Sequence, residues 1–557
     1  MTACRKTQNE AILERDAVVV GAGFAGLYML HKVRELGRSA TLFEAGSGVG
    51  GTWFWNRYPG ARCDVDSLEY SFSFCAELQE EWNWSERFAA QPEILAYLNH
   101  VADRFDLSRD IKLETRVVSA VYDETRARWT VRTDRGDALS VRYCIMATGC
   151  LSAAREPEIP GLYTFKGAVY HTGRWPHGEV DFTGKRVGVV GTGSSGIQVA
   201  PMLAKSASHL YVFQRTPNFS IPARNTPTDL YRERQWKAVY PEMHREARET
   251  TAGILYEYNT TPALSVSEEQ RRNDFAARWR TGGVNFLRTY CDIMVDKSAN
   301  DDDAEFVRAR IREIVKDERT AEKLLPHDHP IGAKRICIDT DYFDTYNRDN
   351  VTLVDIRTAP IEAMSPEGVR TKDAFYELDA LVFATGFDAV TGSLAKIDIR
   401  GRSGRALSEK WAGGPRSYLG LMTAGFPNFF TITGPGSPSI LTNVVVSIEQ
   451  HVEWIGAAIA HLEAYSVDAM DADAETENAW VAHVDEVAHR TLLVLANSWY
   501  LGANIPGKPR VFMPYAGGFK VYRQKCEEIV ARGYEGFIFE KRGSAPHAPA
   551  ALETSLS

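Results

Sequence analysis

Two adjacent cations, Lys334 and Arg335, open onto the strand-like run of GAKRICIDT, Gly332 to Thr340. Burying such a pair is costly unless an anion or a dipole compensates it. A phosphate or a flavin ring would do so; the other reading is a strand end with two solvated basic tips. Another cation, Arg215, stands in Gln214-Arg215-Thr216, just after the apolar run Leu210 to Phe213. Phosphate-binding turns are present to match. Ala17 to Val20 runs into Gly21, Gly23 and Gly26, and Arg186 to Val190 runs into Gly191-Thr192-Gly193-Ser194-Ser195-Gly196. Each turn is followed by apolar residues at helical spacing. In a strand, tight turn and helix of this kind, glycine allows a pyrophosphate to approach the backbone, and the helix N-terminus faces its charge.

The two units differ at the end of their second strand. Ala40 to Phe43 ends in Glu44, whose carboxylate accepts hydrogen bonds from a ribose diol. The second unit has Arg215 there; a carboxylate would repel a 2′-phosphate, whereas a guanidinium binds it bidentately and stacks on adenine. The second unit is therefore expected to take NADP rather than NAD. FAD is expected in the first, because GVGGTWFWNRYPGARCDVDS, Gly48 to Ser67, crowds glycines and aromatics after Glu44 as if to wrap a long cofactor.

The elements that must position these residues predict an α/β fold: two Rossmann-like dinucleotide-binding domains, for FAD and NADP, with an inserted helical subdomain. Residues 1–15 are expected to be a flexible arm and 16–150 the first part of the FAD domain. That part includes an antiparallel meander between Ile111 and Met146, read from the alternation of Trp129, Val131 and Thr133, the Arg135-Gly136 turn, and Val141, Tyr143 and Ile145. The NADP domain follows at 151–224, after a linker marked by Pro157, Pro160 and Gly161. Charged helical sequence fills 225–330, with Ser267 and Gln270 as a capping box and Phe306, Val307, Ile311, Ile314 and Val315 as an apolar stripe. The NADP domain resumes at 331–380. Asp379 to Asp388, DALVFATGFD, repeats the Ala147-Thr148-Gly149 return strand, so 381–542 is assigned to the FAD domain, and 543–557 to a disordered tail. His327 and His329, flanked by prolines, read as a surface turn rather than a metal site.

Between the two glycine turns lies FKGAVYHTGRWP, with Phe165, Gly167, His171, Trp175 and Pro176 in the spacing FxGxxxHxxxWP. It resembles the fingerprint of the type I Baeyer-Villiger monooxygenases, flavoenzymes that use NADPH and oxygen to turn ketones into esters or lactones. The resemblance covers roughly residues 16–540, through GTWFWNRYPGARCD, GTGSSGIQ, FQRTPN, GAKRICIDT, TYNRDNV, TGPGSPS and NSWYLGANIPGKPR, and is strongest to the phenylacetone, steroid and cyclohexanone monooxygenase group.

The resemblance implies that Arg335 is the catalytic arginine and Asp64 its carboxylate partner beside the flavin. It implies an FAD site of Gly21, Gly23, Gly26, Glu44, Gly51, Thr52, Trp53, Asp64, Tyr70 and Val117. By the same resemblance the NADPH site comprises Thr192, Gly193, Ser194, Ser195, Gly196 and Gln198, with Arg215, Thr216 and Lys334 on its phosphate. Trp499 would be a mobile-loop tryptophan near the nicotinamide, and Ser439, Ile440 and Leu441 would line the substrate pocket. In the family's reaction NADPH reduces the flavin, oxygen adds to form a C4a-peroxide, and the peroxide attacks a ketone; a permanently charged arginine stabilises negative charge at both stages. Sulfoxidation is an expected side activity. His171, in a linker, suits a hinge or a structural hydrogen bond better than proton transfer. The nearest other reading is a flavin-dependent N- or S-oxygenase, whose related fingerprint usually lacks Trp-Pro. A redox-sensing protein that holds both cofactors without turnover is distinguished by the absence of ketone-dependent oxygen uptake.

Bulk properties restrict the partners. A chain of 557 residues exceeds one core, and 64 basic against 73 acidic side chains leave a net charge of −9, with no surplus to neutralise nucleic acid. Eight cysteines form no CxxC pair and no zinc spacing, which disfavours a disulfide reductase and a metal site. The longest nearly apolar run, Ala17 to Leu30, is too short and glycine-rich to span a bilayer. A cytoplasmic monomer or weak homo-oligomer, acting on a small ketone and oxygen, is the expectation.

Overall fold

The fold, a computed structural model, is described for residues 12–541. The expected tail, and all but the end of the expected arm, lie outside the described residues. Leu13–Val20 (β1) starts three residues before the expected boundary, because Leu13, Glu14 and Arg15 pair with Leu139, Ser140 and Val141. Its apolar run is continuous because the strand is covered on both faces: Ala17 and Val19 enter one core, Val18 and Val20 another. Ala40–Phe43 (β2) and the short Ile111–Lys112 (β3) extend the parallel sheet. Val117–Asp123 (β4), Arg128–Thr133 (β5) and Ala138–Met146 (β6) form the predicted antiparallel meander, and β6 lies parallel to β1, joining the two parts.

The second sheet is built from Ala168–His171 (β7), Arg186–Val190 (β8) and His209–Gln214 (β9). Ser220–Pro222 (β10) pairs with Cys337–Asp339 (β11) in a separate two-stranded ribbon. Val351–Asp355 (β12) joins β9; Ile361–Ser365 (β13), Gly368–Thr371 (β14) and Phe375–Glu377 (β15) make a small meander of their own. Ala380–Phe383 (β16) lies between β8 and β7, completing the parallel order β12-β9-β8-β16-β7.

That placement corrects a boundary. The Ala-Thr-Gly run after β16 was expected to mark re-entry into the FAD domain, yet β16 is interior to the second sheet. The first sheet is rejoined only by Asp398–Arg400 (β17), parallel to β4, and Phe429–Thr431 (β18), parallel to β6. The motif recurs because it serves the same purpose in each sheet. A Cβ on Gly21 would stand 2.6 Å from the Ala147 carbonyl oxygen, and one on Gly191 would stand 2.5 Å from that of Ala384. Each glycine has a left-handed φ, +105° and +111°, so no other residue suits either position.

The second unit is thus nested within the first. Its outgoing and returning connectors run side by side: Val390 N–H donates to Cys150 O, Asp388 N–H to Ala153 O, and Arg155 N–H to Gly386 O. The segment 225–330 is helical as expected. Ser267 caps Glu268–Thr281 by accepting from the Gln270 N–H, Gly282 ends it, and Val307, Ile311 and Val315 are buried. His327 is exposed, but His329 is buried, donates to Asp328 at 2.6 Å and meets the edge of Phe219, so only half of that turn is surface.

Candidate functional site

One cavity of about 1400 Å³ lies where the two units meet. It exceeds the usual range for a single drug-sized ligand, roughly 300 to 1,000 Å³. Both glycine turns open on it: Gly21, Gly23 and Gly51 from the first unit, Gly191, Thr192, Gly193, Ser194 and Ser195 from the second. Gly26 and Gly196 sit behind, pressed on their own turns; a Cβ there would come within 1.7 Å and 2.0 Å of the carbonyl oxygens of Gly21 and Gly191. Gly23 and Gly193 have no such packing reason. A Cβ on Gly23 would make only ordinary contact with Gly51, and one on Gly193 would meet nothing within 4 Å. Their space is free for a ligand to use.

The turns are braced from within. Glu44 accepts from the N–H groups of Ala22 at 2.8 Å and Gly46 at 2.7 Å, tying the end of β2 to the first turn. Thr192 Oγ1 donates to Thr216 O at 2.8 Å, the matching tie in the second unit. Trp53 is buried and its Nε1 donates to the Tyr70 hydroxyl at 3.2 Å; with Thr52 and Val117 they line the first half of the cavity. Gln198 bridges the halves: its Oε1 accepts from the Tyr58 hydroxyl at 2.8 Å and its Nε2 donates to Arg62 O at 3.1 Å. Burial pushes the Tyr58 hydroxyl up to about 12, so it stays a donor.

Arg335 meets Asp64 in the same cavity. Its Nε donates to Oδ2 at 2.7 Å and its Nη2 to Oδ1 at 2.8 Å, while Nη1 donates to the Ile440 carbonyl at 3.0 Å. The two residues are 271 apart in sequence, and all three contacts use the fixed fork of a guanidinium. The Asp64 carboxylate holds Arg335 above the ordinary arginine range, so its charge is permanent. Lys334 and Arg335 lie in the turn before β11, not within a strand as GAKRICIDT suggested. Tyr500, buried and pushed up to about 12 mainly by burial, faces the same guanidinium; only its place beside Trp499 hinted at it.

Cations gather at the other end. Arg215, Lys334 and Arg155 all line the cavity, and Asp328 lies 3.7 Å from Lys334. Arg155 escaped the sequence reading because a lone arginine in a proline-rich connector carries no periodic or motif signal. Ser439, Ile440 and Trp499 line the cavity too, whereas Leu441 packs behind it with Met294, Tyr500 and Phe512. The fingerprint residues lie on and around β7. Phe165 packs under Gly167, Trp175 is buried on Tyr170 and Phe182, and His171 lies at the strand's end ahead of Pro176. His171 Nδ1 accepts from the Gly173 N–H at 3.0 Å, which leaves Nε2 to donate to Arg155 O at 3.1 Å. Burial lowers its pKa, so the ring is the neutral Nε2–H tautomer.

Comparison with known proteins fits this geometry. A family pattern described as "Pyridine nucleotide-disulphide oxidoreductase" matches residues 15–235. A protein of Pseudooceanicola batsensis named "Baeyer-Villiger monooxygenase" is 43% identical over 94% of this chain and 96% of its own. This chain belongs to the Baeyer-Villiger monooxygenase family. A "Phenazine N-monooxygenase PhzNO1" of Lysobacter antibioticus is 44% identical over 95% of this chain and 98% of its own. A solved steroid monooxygenase bound to NADP superposes with a TM-score of 0.91, at 54% identity, covering 95% of this chain and 99% of that one. Among the described residues no group of His, Cys, Asp and Glu is placed to hold a metal, and no helix is long and apolar enough to cross a membrane.

Proposed function

We propose that the chain converts ketones to esters or lactones with NADPH, oxygen and bound FAD: ketone, O₂, NADPH and a proton give ester, water and NADP⁺. The observation that carries this reading is Arg335, fixed by Asp64 and by the Ile440 carbonyl where the two nucleotide units share a cavity. The residues suit both dinucleotides. Gly23 leaves room for the pyrophosphate of FAD in a turn shaped by Gly21 and Gly51; Gly193 does the same for NADPH beside Gly191, with Arg215, Thr216 and Lys334 toward its 2′-phosphate. FAD supplies hydride acceptance and activation of oxygen.

The protein's part is electrostatic. Arg335 presents a charge that it cannot lose to the oxygen atoms on which negative charge collects during attack on the carbonyl, and Asp64 keeps the guanidinium plane in position. Ile440, Trp499 and the cluster behind Leu441 give the substrate an apolar wall, which fits an uncharged ketone body. Oxidation of sulfides or ring nitrogens is a second activity of the same site, and the N-monooxygenase relative favours including it. The test is NADPH oxidation and oxygen uptake against a panel of aryl, cyclic and steroid ketones, with products identified by mass. Ester matching the NADPH consumed is the expected result. NADPH consumption with no ester from any ketone, alongside N- or S-oxides, would overturn it.

A further inference from the structure

The ribbon that joins the two units carries a cation with no hydrogen-bond or ion-pair partner among the described residues. Arg155 follows Ala154, which bridges Phe387, and three bonds fix its backbone: its N–H donates to Gly386 O at 3.0 Å, and its carbonyl accepts from His171 Nε2 at 3.1 Å and from Thr385 Oγ1 at 3.0 Å. Its half-buried guanidinium lines the cavity and makes no hydrogen bond or ion pair among the described residues; Arg215, which is exposed, lines the cavity and is likewise unpaired among them. Ile159, Ile356, Pro360 and Ile361 line this end too, giving an apolar slot beside the charges. Burial lowers Arg155, and the charge of Arg215 lowers it further; Lys334 is lowered first by burial and then, against the pull of Asp328, by Arg215. Arg215 thus repels both Arg155 and Lys334, while Glu158 opposes it at Arg155 and Asp328 at Lys334. An anion of high charge would relieve all three.

We propose that Arg155 is a third cation for the 2′-phosphate of NADPH, set in place by His171 through the Arg155 carbonyl. The inference rests on the reading of this end as the NADPH site. A phosphate monoester carries nearly two charges at neutral pH, more than one guanidinium neutralises. The pyrophosphate belongs to the turn at Gly193 and the helix that follows it, so Arg155, grouped with Arg215 past the end of β9, serves the adenosine end. His171 thereby becomes a positioning residue: its neutral tautomer donates to a carbonyl whose residue carries the charge, and it touches no ligand itself.

The test titrates the FAD-loaded enzyme with 2′,5′-ADP and with 5′-ADP, and compares kcat/KM for NADPH and NADH. Arg155→Gln should weaken 2′,5′-ADP about tenfold, the size of one charge-assisted hydrogen bond, and leave 5′-ADP within about twofold. The NADPH to NADH ratio should fall by the same factor, and Arg155→Lys should restore part of it. His171→Gln should shift the same ratio in the same direction by less, with no further loss when added to Arg155→Gln. FAD content, read from the flavin absorbance, shows that each variant is folded. An unchanged 2′,5′-ADP to 5′-ADP ratio in Arg155→Gln overturns the proposal. So does an equal loss for both probes, which would make Arg155 an adenine contact. Arg215→Ala separates the two levels: if it changes the ratio and Arg155→Gln does not, only this inference fails; if neither does, the NADPH reading of this end fails with it.

Discussion

Arg335 is held by three acceptors, and its substitutions divide the reaction into parts. In Arg335→Ala, FAD should remain bound and NADPH should still reduce it, while ester formation falls by about 10² to 10³ or more, the cost of losing a charged contact in a water-excluded site. Lys at 335 keeps the charge but cannot reach both Asp64 oxygens and the Ile440 carbonyl at once, so it should lie between. Asp64→Asn, which removes the charge and one acceptor, should cost about tenfold. Rapid-mixing reduction and product yield, measured on the same preparations, check all three; wild-type yield from Arg335→Ala would remove this residue from the chemistry. The sequence made Lys334 and Arg335 conspicuous as paired cations, and resemblance supplied Asp64. Local sequence could not show the Ile440 carbonyl or Tyr500, because a backbone acceptor has no residue type and a buried tyrosine beside a tryptophan looks like core.

The glycines separate folding from binding within a single strand-turn-helix element. Gly21, Gly26, Gly191 and Gly196 are forced by backbone packing, so substituting them tests the fold. Gly23 and Gly193 are not, which makes Gly23→Ala and Gly193→Ala the cleaner pair. We expect the first to purify with less FAD, and the second to keep FAD but lose NADPH affinity by roughly tenfold or more, equivalent to about 1.4 kcal/mol. Full flavin content in Gly23→Ala would show that the first turn does not hold FAD. Elsewhere in the first unit His451 lies fully buried in the helix Val444–Ala464, accepting from the Thr433 N–H at 3.0 Å and donating to the Tyr522 hydroxyl at 3.0 Å. Burial lowers it to about 3, below its ordinary 6.5, so the unfolded chain binds a proton that the folded one refuses. Its stabilisation is complete above about pH 6.5 and is lost as pH falls toward 3, amounting to about 2 kcal/mol between pH 7.5 and 5. His451→Gln copies the neutral tautomer and should lose that much less over the same range in urea unfolding; equal losses would refute the assignment. Strands such as β2 and β8 were legible to the residue from apolar runs between glycines. The Ala-Thr-Gly boundary was misread because a local motif states what it packs against, not which sheet it belongs to.

At the scale of the molecule, the cavity exists because the second sheet, β7 to β16, is inserted between β6 and β17 of the first. Gln198 holds the nested unit against its host from the cavity side. Removing the hydroxyl with Tyr58→Phe leaves Gln198 Oε1 without its donor, and we expect the fraction of NADPH recovered as ester to fall while reduction of FAD at saturating NADPH is unchanged. A wild-type yield would mean that the bridge has no part in keeping the two halves in register. The two-unit plan and the helical segment could be read from sequence; the nesting could not, since it depends on which distant strands pair. The paired connectors at 150–155 and 386–390 also bear on gene architecture. A segment whose two ends leave the host side by side satisfies the geometric condition for splicing one fold into a loop of another, because the host strands on either side need not move. A single such insertion is sufficient to bring two nucleotide turns to one cavity, with no reordering of strands in either parent.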